Sequence, residues 1–331
     1  MWYPGNINFG YTRFVSLQEE MRMPESSETG TYEQAAPEWS NARASKSKKA
    51  SVREILLILD LASLEASGPE RTLEGLHRLI PTEGSRLHIV HLMKPGELTP
   101  TSMVERVQAE LWRYGWHLAE NRLLTLTHET VTSLVSEVRQ ANYDLVVLGV
   151  PDLPVGKSSE LSQFVHHLVS HVPVSVLLWR KPLSEQPHAL KIFFGVDGSE
   201  SSMTAVNKAV ELLRLKYANL RLITVLSPLF QDNAVTAPFV NPDVLEQALE
   251  ANARIIFEMA SGLLEAQGVP VPSRQKLIGS PATELGYYAE MEAPDLIVVG
   301  SHNRKGLMAW LMGSVSSQLL QWDKHNLLIV R

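Results

Sequence analysis

The sequence predicts an α/β protein made of two tandem, doubly wound, five-stranded parallel-sheet domains. Three observations carry that reading. From residue 52 onward, short apolar runs rich in β-branched residues alternate with longer amphipathic stretches. Continuous apolar strands separated by helices imply a parallel sheet covered on both faces. The alternation then occurs a second time, and matching segments recur at a fixed spacing. Asp144-Leu-Val-Val-Leu-Gly149 returns as Asp295-Leu-Ile-Val-Val-Gly300, an offset of 151. Leu177-Leu-Trp-Arg180 and Leu328-Ile-Val-Arg331 keep the same offset. Asp60 and Asp197, at the ends of the first strands, are 137 apart, so the second half gained residues in its middle, around Pro228–Pro242. A duplication accounts for all of these.

In the first half the strands are expected at Ile55–Leu59, Leu87–Leu92, Leu123–Thr127, Leu145–Leu148 and Val174–Leu178, with helical patterns at Met103–Glu120 and Val131–Gln140. In the second half they are expected at Ile192–Val196, Leu220–Leu226, Ser273–Leu277, Leu296–Val299 and Leu327–Val330. Helices belong at Ser201–Leu215, Asp243–Gln267, Pro281–Glu292 and Gly313–Gln321. Asn241-Pro242 and Ser280-Pro281 read as caps followed by a proline at the first helical position, where its missing N–H costs nothing. A polar, Pro-containing connector at 182–188 separates domains at 51–181 and 189–331. Residues 1–50 carry few large aliphatics and are expected to be a mostly disordered tail.

Composition narrows the function. The chain has 331 residues, 44% hydrophobic and 20% charged, enough for two cores. No apolar run approaches the ~18 residues that span a bilayer, so membrane association is not expected. The start does not read as a signal peptide. The absence of cysteine removes disulfides, thiolate nucleophiles and Cys-ligated metals, and with them points to the cytoplasm. A formal charge of −6 offers no basic footprint for nucleic acid.

In an open parallel sheet a ligand binds beyond the carboxyl ends of the strands, where strand order reverses. With the order 3-2-1-4-5, the ends of the first and fourth strands flank that crevice, and three segments of the second half converge there. Gly195-Val-Asp197-Gly-Ser-Glu200 leaves the first strand. The Asp197 carboxylate can accept from a ribose hydroxyl or an adenine amino group, or can cap the next helix; spacing alone leaves both open. Gly300-Ser-His-Asn303 leaves the fourth strand, and Gly313-Ser314-Val315 opens the last helix. Free amides and the helix dipole there favour phosphate. Arg304 and Lys305 add positive charge nearby. Gly279-Ser-Pro-Ala-Thr-Glu284 reads as a tight turn and helix start without chemistry.

These segments, in this order, resemble the universal stress protein family, specifically its ATP-binding branch, over 189–331 well and over 52–180 weakly. The family motif is Gly, two residues, Gly, nine residues, Gly and Ser or Thr. Here Asn303 stands at the second glycine, between Gly300 and Gly313-Ser314. The resemblance implies the adenine nucleotide alpha hydrolase-like fold and an ATP cofactor, with or without Mg. It implies that Asp197 contacts adenosine, that the Val225 backbone reads the adenine edge, and that Val299, Gly300, Asn303, Gly313, Ser314 and Val315 form the ribose and phosphate loop. Asn tolerates φ > 0 better than other non-glycine residues, so binding is expected to persist and weaken.

The first half keeps the scaffold without the loop. Pro151 and Pro154 offer no N–H, and Ser162-Gln163 stand where Gly-Ser is wanted. Pro151–Ser158 resembles a P-loop, but its two prolines break the required run of amides, so an irregular loop is expected. His167 and His171 share a helix face without a carboxylate motif and read as an ordinary helix face rather than zinc. His88 and His91 read as packing or hydrogen-bonding groups, and Trp112 and Trp116 as core or interdomain contacts.

The functional readings are a nucleotide-binding regulatory protein with at most slow ATP hydrolysis, acting through an unknown protein partner, and a nucleotide-free scaffold. An adenylating enzyme ranks last, because Gly198-Ser-Glu-Ser201 lacks paired glycines. The last strands of the two halves are expected to pair edge to edge as an intramolecular pseudo-dimer, which leaves homodimerisation open.

Overall fold

The computed structural model describes residues 52–60, 64, 68–94, 96, 101–150, 160–183, 188–227, 242–270, 272–301, 313–322 and 324–331. The expected tail, the P-loop-like segment, most of the connector, and Asn303, Arg304 and Lys305 lie outside them.

The first half runs β1 (Arg53–Asp60), α1 (Pro69–Leu79), β2 (Ser85–Met93), α2 (Thr101–Arg113), β3 (His117–Thr125), α3 (His128–Gln140), β4 (Leu145–Gly149), α4 (Glu160–His171) and β5 (Ser175–Trp179). The second runs β6 (Lys191–Gly195), α5 (Glu200–Leu212), β7 (Asn219–Leu226), α6 (Pro242–Glu265), β8 (Ser273–Ile278), α7 (Pro281–Glu292), β9 (Leu296–Gly300), α8 (Ser314–Gln321) and β10 (Leu327–Val330).

All ten strands form one sheet in the order β3-β2-β1-β4-β5-β10-β9-β6-β7-β8. Each half therefore has the order 3-2-1-4-5, with parallel pairing throughout. The halves join where β5 and β10 pair antiparallel, with Leu178 opposite Leu327, Leu177 opposite Leu328 and Val176 opposite Ile329. Under the 151-residue offset Leu177 corresponds to Leu328, so the pairing maps onto itself when the halves are exchanged. That is the isologous contact of a two-fold dimer, built within one chain.

The helices divide between the two faces. One core gathers Leu73 and Leu76 of α1, Val107 of α2, Val206 of α5 and Phe257 of α6. The other gathers Leu134 of α3, Phe164 of α4, Leu285 of α7 and Leu320 of α8. Both cores run across the junction, through Leu177 and Leu328 on one face and Val176 and Ile329 on the other. Among the described residues no helix is long and apolar enough to cross a membrane.

An aspartate clamp repeats at the base of each half. Asp144 Oδ2 accepts from the Glu54 amide at 2.9 Å, and Asp295 Oδ2 accepts from the Lys191 amide at 2.8 Å. Each ties the start of the fourth strand to the first, which explains why the aspartate recurs in the repeat.

Two expected boundaries are corrected. The helix expected over Met103–Glu120 ends at Arg113, and the strand expected over Leu123–Thr127 starts at His117. Gly115, at φ 77°, turns the chain between them, a left-handed conformation that only glycine adopts freely. The two tryptophans also part company. Trp116 is buried in the core, whereas Trp112 is 68% exposed and contributes to neither core nor junction. His88 bonds Glu54 at 3.0 Å, and His91 is buried.

Candidate functional site

Strand order reverses between β6 and β9 in the second half, and a hollow opens beyond their carboxyl ends. Its floor is apolar: Ile223 and Val225 from β7, Leu285 from α7, Val299 from β9 and Val315 from α8. Its rim carries Asp197, Ser199, Ser201, Gly300, Gly313 and Ser316.

The rim is built by local chemistry. Asp197 Oδ1 accepts from the Ser199 amide at 2.9 Å, closing a turn around Gly198, whose φ is 79°. Ser199 is then the N-cap of α5, its hydroxyl accepting from the Ser202 amide at 3.1 Å. Asp197 therefore orders the turn without capping the helix, and it stays exposed at the rim. A Cβ on Gly300 would lie 2.8 Å from the Ser201 carbonyl oxygen, so only glycine lets β9 and α5 approach this closely. Ser201 Oγ fastens the same contact by donating to the Ser301 carbonyl at 2.6 Å.

Gly313 is the N-cap of α8 in extended conformation and supplies no side-chain cap. The first-turn amides of a helix have no intrahelical acceptor, and together with the dipole they make an anion-attracting end. Ser314 is the first residue of α8 and is exposed, while Val315 and Ser316 turn into the hollow. On the opposite wall Pro281 opens α7 after Ser280. Gly279, at φ 144°, leaves no room for a Cβ beside Glu284, so that segment serves the turn.

The structure thus brings Asp197, Val225, Val299, Gly300, Gly313 and Val315 around one hollow and sets Ser314 at its mouth. Ser199, Ser201, Ile223 and Leu285 were not among the candidate site residues read from the sequence, although the segments holding Ser199 and Pro281 were singled out. Their signal was present only as ordinary cap and core residues.

Three counterparts of the hollow's residues are closely packed in the first half. The counterpart of Gly300 is Gly149, and a Cβ there would lie 2.5 Å from the Leu59 side chain. Phe164 occupies the place of Val315 and is 1% exposed. Asp60, the counterpart of Asp197, is buried. A groove lies between α3 and α4, lined by His128, Gln163, Phe164 and His167 among others. His167 and His171 stack at 4.1 Å, and among the described residues no group of three or more His, Asp or Glu is placed to hold a metal.

Residues 189–331 match the model of the Universal stress protein family. Universal stress protein YxiE of Bacillus subtilis is 29% identical over 146 residues, covering 43% of this chain and 98% of that protein. A universal stress protein of Methanocaldococcus jannaschii is 26% identical over 147 residues, covering 43% of this chain and 81% of that protein. Both halves together resemble the crystal structure of a putative universal stress protein from Pseudomonas aeruginosa. That match has a TM-score of 0.51 and 15% identity, covering 85% of this chain and 94% of the other.

Proposed function

With the second half established as a universal stress protein domain, we propose that this half binds an adenine nucleotide, ATP in the first instance, and that occupancy is read by a protein partner. One observation carries the reading: a single hollow joins an apolar slot, an exposed carboxylate and an uncapped helix start at the reversal point of a parallel sheet. The slot between Val225, Leu285 and Val299 suits a flat base. Asp197 accepts from ribose or the adenine amino group. The glycines at 300 and 313 let the backbone approach phosphate closely, and Ser314 adds a hydroxyl donor. Asn303, the remaining residue of the expected loop, lies outside the described residues. Mg would arrive with the triphosphate, since this reading assigns it no protein ligand. The first half acts as a partner domain, with Phe164 and Asp60, the counterparts of Val315 and Asp197, buried.

The test is direct. Protein purified without added nucleotide is denatured and the supernatant chromatographed for ATP, ADP and AMP, and stripped protein is titrated calorimetrically with ATP. One equivalent per chain is expected. Replacing Asn303 with glycine should tighten binding by restoring freedom at φ > 0. No binding before or after that replacement would leave the nucleotide-free scaffold as the function.

A further inference from the structure

Arg180 ends the first half, yet its side chain works in the second. Its amide donates to Asn326 Oδ1 at 2.8 Å, and its Nη2 donates to the Leu320 carbonyl at 2.8 Å. Leu320 lies in the last turn of α8, where carbonyls have no intrahelical donor and a positive charge meets the negative end of the dipole. The side chain is 4% exposed, so this contact works with little screening by water. At the other end of the same eight-residue helix, Val315 and Ser316 wall the hollow. A helix of that length spans only about 12 Å and is too short to hold itself in place. Its placement depends on what grips its ends.

The mirror contact supplies an internal control. Arg331, the counterpart of Arg180, reaches back to the Val169 and Val172 carbonyls at the end of α4. Val169 corresponds to Leu320 under the 151-residue offset. The chemistry is thus the same on both sides of the junction. The consequence for the proposed nucleotide site is one-sided, because Val315 of α8 lines that hollow whereas its counterpart Phe164 lies buried at the start of α4, beside the groove between α3 and α4.

We infer that Arg180 is a positioning residue of the nucleotide site: the first half sets the register of α8, and through it the phosphate-facing amides of the second half. This rests on the nucleotide reading above. It assigns the first half a task in the second half's site.

The experiment uses the full chain with Arg180→Gln, Arg180→Lys and Arg331→Gln, measuring ATP affinity by calorimetry, melting temperature, and amide hydrogen exchange over 313–321. Arg180→Gln should weaken ATP about tenfold, the scale of one lost charge-assisted hydrogen bond. Arg180→Lys should recover part of that loss. Arg331→Gln should lower the melting temperature comparably while leaving affinity within about twofold, since sites without shared partners act independently. Exchange at the first amides of α8 should quicken in Arg180→Gln and stay unchanged in Arg331→Gln. Equal weakening by both glutamine variants, or none by either, overturns the inference. If Arg180→Gln does not fold, the Arg180→Lys comparison decides. If wild-type protein takes up no ATP, the nucleotide reading fails by itself, and the exchange pattern alone upholds or overturns the control of α8 by Arg180.

Discussion

Arg180 and Arg331 exchange roles across the junction: each closes the last strand of its own half and grips the last helix of the other. Their backbones repeat the exchange. The Arg180 amide donates to Asn326 at 2.8 Å, and the Arg331 amide donates to Ser175 at 3.2 Å, with Ser175 and Asn326 themselves equivalent in the repeat. Asn326 goes further, its amide group donating to the carbonyls of Lys181 and Asp295 at 2.9 Å each. The junction is therefore held by polar contacts at its ends and by apolar strands at its centre.

Removing residues 326–331 should abolish cooperative folding or leave an aggregating chain. Leu327, Leu328, Ile329 and Val330 are each 2% exposed or less. Losing even one such side chain costs about 2–5 kcal/mol, against a total stability of about 5–15 kcal/mol. Thermal melting and size-exclusion chromatography would check this. A truncated chain with unchanged melting and solution size would contradict the role given to β10.

Gly300→Ala should cost about 1–3 kcal/mol, the usual range for overpacking, and should abolish nucleotide uptake. The new methyl would press on the Ser201 backbone, which cannot rotate aside as a side chain can. Urea melts and calorimetry read the two effects separately.

Gly286→Ala should displace Trp322. A Cβ at Gly286 would lie 1.8 Å from the Trp322 indole ring, which sits against α7. A destabilisation of about 1–3 kcal/mol is expected, with a red-shifted tryptophan emission as the ring meets water. The double variant Gly286→Ala/Trp322→Leu should recover part of the loss, because the smaller side chain leaves room for the methyl.

Stability should fall as pH drops below 6.5. Burial holds the His91 imidazole below its ordinary value of 6.5, against a contact with Asn121 that raises it. Between the lowered value and 6.5 the unfolded chain binds the additional proton, so stability rises with pH there and is insensitive to this group above it. His77 and His325 are held low by burial in the same sense. His91→Leu should therefore shrink the slope between pH 5.5 and 6.5 without removing it, by at most about 1.4 kcal/mol per pH unit. Urea melts at pH 5.5, 6.5 and 7.5 measure this.

The repeat and its strand order were legible because buried parallel strands advertise themselves as unbroken apolar runs. Pro281–Glu292 and Leu327–Val330 have the same limits in sequence and structure, one marked by its proline and the other by its four consecutive apolar residues. β3 hid for the opposite reason. It is an outer strand of the sheet, largely exposed, and His117-Leu-Ala-Glu-Asn reads as a continuation of the preceding helix. At the hollow, Asp197 and Gly300 were legible as charged or small residues at strand ends, and Gly313 as a small residue at a helix start. Leu285 of α7 was not, since it looks like any core leucine. The crossing arginines were visible as a repeated residue, but their targets depend on how two distant strand ends meet.

The β5–β10 seam separates this chain from a pair of identical subunits in one respect. Two copies of a single-domain protein must look alike, must find each other, and part again on dilution. Here the encounter is guaranteed by covalent continuity, so the seam holds at any protein concentration. Freed from sameness, the two halves can diverge at matched positions, as Phe164 and Val315 have, while the seam that joins them is kept.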